Sequence, residues 1–393
     1  MRLCCGFFRL VFCSSLLTVN AFAHDPINTS KDTPLAVQKI YGKILNQGLI
    51  EPFENSVAFF SQQQTFEPSA VYMVEDKLFL INDRPMPENF PSQVVGFSID
   101  QLGQEIIKPD SIFPVTSAVI HSSMKIEAAT QSFDKRLVFA SSSFSYFIED
   151  EPEKDAFNSV LYWPSGKPNE AKRFNSSVRQ GITSSLELRK RIQNILKTKQ
   201  FPLGPTYFKV EGLAYMPGNK LAFGIRSSGV DYDSASYQFT IITAEIHSAS
   251  SKNKATLLLS NFELLYKQNE QHKQKNRKHI KHDIGVSSLE YDTNRDGLFV
   301  ITSFEDEDKN MGAYLWFYPN NKEPELVFTE QGTPLVFKHK AEAFLMLDES
   351  TLLIIHDDDR EQLIVDTGKS KIKRDTNQGV YSVVKIYNST TKN

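Results

Sequence analysis

Residues 210–226, VEGLAYMPGNKLAFGIR, contain the pattern that decides the fold of this chain. A short strand that includes Glu211 is followed by a turn at Gly218-Asn219 and by an apolar run from Leu221 to Ile225. Gly and Asn between two strand-like runs are typical of a β-hairpin. The second strand is apolar at successive positions, which indicates that it is buried on both faces.

The same hairpin pattern occurs five times in the chain. The repeats begin at positions 67, 127, 211, 288 and 342. Each hairpin is followed by a third strand-like run, and some by a fourth. Four antiparallel strands repeated around a common axis form a β-propeller. We therefore predict an all-β fold, a single propeller with five visible four-stranded blades. A sixth blade would have to be too degenerate to recognise.

The two ends of the chain are predicted to close the ring together. After the fifth hairpin, a third strand near residues 381–387 leaves little sequence for a fourth. We assign the missing strand to residues 55–60, because closure of the ring removes exposed sheet edges. The predicted propeller spans residues 55–388, between a lead-in segment at 24–54 and a tail at 389–393. A short helix is predicted over 186–197, and a polar surface loop over 267–282.

Residues 1–23 have the features of a secretory signal peptide. A basic start at Arg2 precedes an apolar stretch that ends in Ala21-Phe22-Ala23, the usual form of a cleavage site. An uncleaved membrane anchor is the alternative, but the apolar stretch is short for a bilayer. We expect a periplasmic or secreted bacterial protein with no later transmembrane segment. All cysteines of the chain lie inside this segment, and they are Cys4, Cys5 and Cys13.

Composition excludes some partners and favours others. The formal net charge of the 393-residue chain is −3, so no basic field would recruit nucleic acid. The sequence also lacks the nucleophile elbow, the phosphate-binding loop and the dinucleotide-binding fingerprint. A small-molecule anion or ester remains as the expected ligand, and we expect the protein to be a monomer.

A carboxylate recurs at the start of the first strand in four of the five repeats. An unpaired charge is costly in a core, so these positions should line a wet surface. The first strand of a propeller blade lies nearest the central channel, which predicts that the carboxylates converge at one mouth. The residues concerned are Glu67, Glu127, Glu211 and Glu342, with Ser288 at the fourth place.

Hairpin geometry predicts the partners of these acids, because opposite residues of an antiparallel pair are close enough to interact. Asp83 and Arg84 are expected opposite Glu67, and Arg226 opposite Glu211. Asp357 is expected opposite Glu342. This predicts a channel mouth in which acids and arginines are mixed.

Two kinds of chemistry suit such a mouth. Converging carboxylates can bind Ca²⁺, and neighbouring arginines can hold an anion. Alternatively, paired carboxylates can act as general acid and base on an ester. A structural role is the third interpretation, in which each Glu pairs with its own Arg and keeps the blades in register. We assign Glu67, Glu211, Arg84 and Arg226 to catalysis and anion binding. Glu127, Glu342 and Asp357 are assigned to a metal ion.

Residues 292–297, DTNRDG, match the opening of a calcium-binding loop. Asp292, Asn294 and Asp296 would be the ligands. The loop is not a complete EF-hand, because Ser303 stands where the bidentate Glu is required. An ordinary hairpin turn is the alternative interpretation, and both remain open at this point.

Three short motifs carry a resemblance to a known family. Residues 66–69 (FEPS), 210–214 (VEGLA) and 340–343 (KAEA) resemble the repeated Glu motifs of secreted bacterial propellers called phytase-like, or "esterase-like activity of phytase". They are also similar to related bacterial propellers of unknown function. The resemblance implies a propeller, hydrolysis of phosphoric or carboxylic esters, and dependence on Ca²⁺. This chain departs from the family pattern at Ala70, where Gly is usual. A non-catalytic propeller that binds a small ligand or an envelope protein is the alternative.

Overall fold

The computed structural model describes residues 39–52, 66–84, 93–109, 111–112, 115–251, 254–306, 310–320, 322–359 and 361–388. Five small sheets are arranged as a five-bladed β-propeller, which confirms the predicted fold. The signal peptide predicted over residues 1–23 and the tail at 389–393 lie outside the described residues. Within those residues, no helix is long and apolar enough to cross a membrane.

Blades 1 and 2 are four-stranded antiparallel sheets whose strands follow chain order from the axis outward. The strands of blade 1 are Pro68–Val74, Lys77–Asn82, Val94–Ser98 and Ser111–Ile112. Those of blade 2 are Ile126–Gln131, Leu137–Ser142, Val160–Pro164 and Lys172–Arg173.

Blades 3 and 4 have longer strands in the same order. The strands of blade 3 are Tyr207–Met216, Lys220–Gly229, Ser236–Ser251 and Lys254–Lys267. Those of blade 4 are Gly285–Asp292, Gly297–Glu305, Met311–Pro319 and Glu325–Leu326, with Val336–Phe337 also paired to the third strand.

Blade 5 closes the ring by pairing the first described strand of the chain with the last. Ala341–Asp348, Thr351–His356 and Gly379–Asn388 are joined by Ile40–Ile50, and Ile106–Ile107 adds a parallel edge strand. The closing strand therefore lies inside the segment that the sequence predicted as a lead-in. The predicted segment 55–60 lies outside the described residues. Ten of the eleven residues of Ile40–Ile50 pair with the last strand of the chain, and the register shifts between Ile44 and Asn46.

Helices and small hairpins connect the blades. The helices are Ala118–His121, Leu186–Ile195 and Glu270–Asn276, with 3₁₀ turns at Ile99–Gln101, Pro152–Phe157 and Pro168–Glu170. The second confirms the helix predicted over 186–197, and the third lies within the predicted polar loop. Two small hairpins lie outside the blades. They pair Ser177–Arg179 with Ile182–Ser184 and Ile364–Asp366 with Lys371–Lys373.

The core lies between the blades. Each of five large apolar clusters joins two successive blades, including one between blades 5 and 1. The inner strands of neighbouring blades contact one another around the whole ring. Each sheet is thus covered on both faces, which is why the second strands are apolar at successive positions, as in Leu352–Ile355.

Candidate functional site

A β-bulge occurs near the start of the first strand in every blade. The register shifts between Pro68 and Ala70, and at the corresponding places of the other four blades. A bulge inserts one unpaired residue and re-aims its side chain. The inserted residues are Ser69, Glu127, Glu211, Ser287 and Glu342.

These bulges correct the alignment of the repeats. In blade 1 the bulge residue is Ser69, and Glu67 lies two residues before it. In blade 4 the equivalent residue is Ser287 rather than Ser288. The position two residues before the bulge holds Glu67 in blade 1 and Gly285 in blade 4. In the other three blades it holds a lysine: Lys125, Lys209 and Lys340.

Those lysines and the predicted acids form one chain of ion pairs around the channel mouth. Lys125 Nζ lies 3.2 Å from an Asp83 oxygen and 3.6 Å from Glu127. Lys209 bridges Glu127, at 3.2 Å, and Glu211. Acids and cations therefore alternate from one blade to the next.

The chain continues across blades 3, 4 and 5. Arg226 Nη1 lies 2.6 Å from Glu211 and 3.2 Å from Glu342. Lys340 Nζ lies 3.2 Å from Glu342 and 2.7 Å from Asp359. In blade 1, Arg84 Nε lies 2.6 Å from Glu67 and 3.9 Å from Asp83. We call these groups, with Asp357, the charged ring: Glu67, Asp83, Arg84, Lys125, Glu127, Lys209, Glu211, Arg226, Lys340, Glu342, Asp357 and Asp359.

The charged ring contains seven carboxyls and five cations, and its carboxyls are largely buried. Desolvation of that many like charges cannot leave all of them ionised at ordinary pH. Burial raises the pKa of Asp83 to about 7, although Lys125 opposes it. Burial and the Glu211 carboxylate raise the pKa of Glu342 to about 8. Burial also raises the pKa of Asp357 well above its usual range.

Two ring carboxyls have the opposite tendency. Burial disfavours the charge of Glu211, but Arg226 and Lys209 outweigh burial and lower its pKa to about 2. Lys340 likewise lowers the pKa of Asp359 against the effect of burial. The ring therefore combines carboxyls that stay ionised with carboxyls that hold a proton near neutral pH.

Three carboxylates of the ring form what we call the acidic corner, which consists of Glu67, Asp357 and Asp359. One oxygen from each lies within 4.8 Å of the others. Arg374 holds the backbone of this corner by donating to the carbonyls of Asp359, at 2.9 Å, and Glu361, at 2.7 Å.

The residue between the two corner aspartates is a second support. Asp358 is buried, and its Oδ2 lies 2.7 Å from His339 Nδ1. Its Oδ1 accepts a hydrogen bond from the backbone N–H of Lys340 at 2.9 Å. This carboxylate ties the loop that carries Asp357 and Asp359 to the start of the first strand of blade 5.

The charged ring lines a cavity of about 820 Å³ at the channel mouth. Eleven of the twelve ring residues line it; Glu211 lies fully buried behind Lys209 and Arg226. One wall is aromatic and comes from blades 2 and 3. The Arg226 guanidinium lies 5.4 Å from the ring centre of Tyr237. The remaining aromatic groups of that wall are Tyr146, Tyr207 and Tyr232.

The structure therefore places most of the predicted site together. Glu67, Glu127, Glu342, Arg84, Arg226 and Asp357 line one cavity, and Glu211 anchors its cations. Both predicted Glu–Arg pairs across the hairpins are present. Sequence reasoning placed Asp83 opposite Glu67 without assigning it a role, and it missed Asp359 and the three lysines. The signal for the lysines was a Lys two residues before Glu in three repeats, at 125–127, 209–211 and 340–342.

The loop at Asp292, Asn294 and Asp296 does not join this site. The first two strands of blade 4 face the ring at the end where Gly285 pairs with Ser303. The loop is the hairpin turn at their other end, where Asp292 pairs with Gly297. Asp292 Oδ1 accepts from the backbone N–H of Asn294 at 2.9 Å, and its Oδ2 lies 2.5 Å from Arg295 Nη1. Asp296 accepts from the Tyr291 hydroxyl. These contacts are those of a closed turn.

Comparisons with known proteins show a likeness in fold. No protein-family model matches the chain, and no curated protein matches it. A member of the DUF4221 family from Bacteroides vulgatus is similar over 90% of this chain and 99% of its own, with 9% identity and a TM-score of 0.38. An α-L-arabinofuranosidase from Podospora anserina is similar over 86% and 97%, with 8% identity and a TM-score of 0.41.

A sialidase from Trypanosoma rangeli is also similar, with 12% identity and a TM-score of 0.35. The match covers 68% of this chain and 38% of the sialidase. At such low identity the likeness concerns the fold alone, because one propeller architecture supports many unrelated activities.

Proposed function

We propose that this chain is a hydrolase that cleaves an anionic ester, phosphoric or carboxylic, in the cavity of the charged ring. The observation that carries the proposal is a pair of cavity-lining carboxyls with pKa values near neutrality, Asp83 at about 7 and Glu342 at about 8, beside five cations. Acid–base catalysis is most effective when the pKa of the catalytic group lies near the working pH.

Fixed cations support an anionic ligand. All five cations of the charged ring line the cavity, although Asp233, Glu305 and Glu361 line it as well. The positive groups that line the cavity, Lys125, Lys209 and Arg226 among them, are already immobilised by their ion pairs. Fixed donors of this kind can stabilise charge that develops on an ester oxygen without reorganising.

The two near-neutral carboxyls take complementary roles in this proposal. Asp83, half ionised near pH 7, accepts a proton from the attacking water. Glu342, still protonated at that pH, donates a proton to the leaving oxygen. Its Oε2 atom is buried and has no hydrogen-bond partner among the described residues, so its proton is not committed to another protein group. Arg226 and Lys209 hold the anionic part of the ester.

We propose Ca²⁺ as the metal of this site, held by the acidic corner. The donor set fits a hard cation, because it consists of three carboxylates with converging oxygens. Asp357 is the one corner carboxylate with no ion pair to a cation among the described residues, and the nearby carboxylate of Asp359 repels its charge. When bound, Ca²⁺ would supply positive charge that polarises the ester.

The resemblance to phytase-like propellers agrees with this activity and with Ca²⁺ dependence. The signal peptide predicted over residues 1–23 leads us to propose that the protein acts in the periplasm or outside the cell. A non-catalytic propeller that binds an anion in the same cavity is the competing function, and the experiment below separates the two.

The test is hydrolysis of 4-nitrophenyl phosphate and of mono-4-nitrophenyl succinate, an anionic carboxylic ester, with added Ca²⁺ or with a chelator. We expect Asp83→Asn and Glu342→Gln to lower kcat by about 10²–10⁴-fold, the usual contribution of a general acid or base. We expect kcat/KM to rise with pH near 7 and fall near 8. Glu187→Gln, which changes an exposed side chain that does not line the cavity, serves as the control.

A variant of the acidic corner tests the metal separately. Asp357→Asn should abolish the response to Ca²⁺ and leave the calcium-free rate near that of the wild type. Absence of turnover with both substrates, or turnover that Glu342→Gln does not change, would contradict the catalytic proposal. Calorimetric binding of inorganic phosphate without turnover would favour the binding propeller.

A further inference from the structure

Two exposed loops beside the cavity share an unusual composition. Residues 146–150 (YFIED) and residues 230–234 (VDYDS) each combine large apolar side chains with acids. Every one of these ten residues is exposed. Each loop follows the second strand of its blade, blade 2 or blade 3, and Tyr146, Tyr232 and Asp233 line the cavity. We call the two loops together the collar.

The collar places exposed apolar side chains around one opening. Phe147 and Ile148 are 39% and 40% exposed, and Tyr232 is 69% exposed. Tyr146 and Tyr232 line the same cavity, so the two loops border the same opening. Exposed apolar groups gathered at one place and bordered by charge suit an interaction site.

The charge that borders these side chains is predominantly negative, although Lys154 lies over the Tyr146 ring at 5.6 Å and 3.9 Å from Glu151. The collar contains Glu149, Asp150, Asp231 and Asp233, and Glu151 and Glu153 follow directly. The nearest arginine does not balance them, since both Arg179 nitrogens that face Asp155 lie within 2.7 Å of that carboxylate. A ligand for the collar must therefore bring both apolar surface and positive charge.

Two arginine side chains, a buried one at 189 and a partly exposed one at 179, hold both loops in place. Arg189, only 3% exposed, donates to the carbonyl of Phe144 at the base of the first loop and to that of Thr206, at 2.6 Å. The Thr206 hydroxyl in turn donates to the carbonyl of Val230 in the second loop. Arg179 donates to the carbonyl of Glu149 at 2.6 Å. A surface fixed in this way loses little entropy when a partner binds.

We infer that the collar docks a polypeptide segment of another protein that carries both apolar and Lys or Arg side chains, laid across blades 2 and 3 beside the cavity. Charge complementarity selects this occupant. An anionic membrane would be repelled by the collar acids. A second copy of this chain would place the same acids against each other. The inference stands apart from the catalytic proposal, because it uses none of the charged ring.

The test uses fluorescent synthetic peptides and anisotropy titration of the whole protein. The first peptide alternates Leu and Trp with Lys, the second replaces Lys by Glu, and the third replaces Leu and Trp by Ser. We expect the first alone to bind, with affinity that falls as salt increases. The double variant Phe147→Ser, Tyr232→Ser and the double variant Asp150→Asn, Asp231→Asn should each weaken binding at least tenfold.

Val336→Ser, which alters an exposed apolar residue of blade 4, is the matched control and should bind as the wild type does. Peptide binding that the collar variants leave unchanged, or equal binding of the Ser-containing peptide, would overturn the inference. So would stable binding to vesicles of anionic phospholipid. Concentration-dependent dimerisation in sedimentation that the collar variants abolish would also overturn it, in favour of a second copy. Unchanged peptide affinity in Glu342→Gln would support its independence from the catalytic site.

Discussion

Blade 3 begins its first strand with Lys209-Val210-Glu211, whereas blade 4 begins with Gly285-Val286-Ser287. Blade 3 thus contributes a cation and an acid to the charged ring, and blade 4 contributes neither at these positions. Arg226 of blade 3 crosses this gap and contacts Glu342 of blade 5. A side chain at Gly285 would obstruct it, because a Cβ there would lie 2.3 Å from the Arg226 carbonyl and 2.8 Å from its Cγ.

This difference shows that a blade without a charged bulge residue is part of the electrostatic design, although Glu305 of blade 4 lies 3.8 Å from Arg226. One arginine serves two acids in non-adjacent blades, and those acids respond differently. Glu211, between Arg226 and Lys209, has its pKa lowered to about 2, although burial opposes the shift. Glu342 shares the same arginine, yet burial and Glu211 raise its pKa to about 8. Equivalent bulge positions thus acquire opposite protonation states.

The largest effect is expected when the cation of blade 3 is removed. Lys209→Met leaves the buried carboxylates of Glu127 and Glu211 without their shared partner. Loss of one member of a buried charge network costs about 3–5 kcal/mol. Urea denaturation at neutral pH would measure this. Lys172→Met, which changes an exposed lysine of blade 2, should be nearly neutral. Equal stability of the two variants would mean that the ring pairs contribute nothing.

The second effect tests the gap in blade 4. Gly285→Ala should cost about 2–3 kcal/mol, the usual range for forcing extra atoms into a packed site. Gly181→Ala is the control, because its Cβ would meet nothing within 4 Å although its φ is +86°. That control should cost about 1 kcal/mol through backbone conformation alone. If Gly285→Ala is tolerated better than the control, Arg226 does not depend on the missing side chain.

The third effect concerns the dependence of stability on pH. Folded Glu342 keeps its proton between its ordinary pKa of 4.5 and about 8, whereas the unfolded chain releases it. The free energy of unfolding should therefore fall as pH rises through this window. Glu342→Gln removes that loss, so the variant should lose less Tm than the wild type between pH 5 and pH 9, by about a few degrees. Parallel curves for the two proteins would show that Glu342 is ionised throughout, and Glu187→Gln should parallel the wild type.

The smallest effect separates the two ends of the channel. Asp292→Asn weakens the pair with Arg295 in a closed turn and should cost about 1 kcal/mol, the value of a typical hydrogen bond. It should leave any change of Tm on addition of Ca²⁺ unaltered, whereas Asp357→Asn should abolish that change. A calcium response that disappears with Asp292→Asn would restore the calcium-loop interpretation of residues 292–297.

Many residues of the site could be predicted from the repeats, but the ion pairs between blades could not. The Glu67–Arg84 and Glu211–Arg226 pairs followed from hairpin geometry, because both partners belong to one local unit. The contacts of Lys209 with Glu127 and Glu211 did not follow from it, because they join two different blades. The equivalence of Ser69 rather than Glu67 with the other bulge residues depends on a one-residue register shift, which periodicity does not reveal.

The hairpins, their number and the apolar second strands could be predicted from the amino-acid sequence alone. Turn residues and the pattern of apolar side chains in a strand depend on only a few neighbouring residues. The sequence also indicated that the recurrent acids line the channel mouth, but the expected wet surface was wrong, because Glu67, Glu127, Glu211 and Glu342 are 0–3% exposed and held in ion pairs. Only the tertiary structure decided which strand closes the ring, which cation each acid contacts, and which carboxyls keep a proton. Those outcomes depend on desolvation and on distances between residues of different blades, and such distances arise only when the blades pack around one axis.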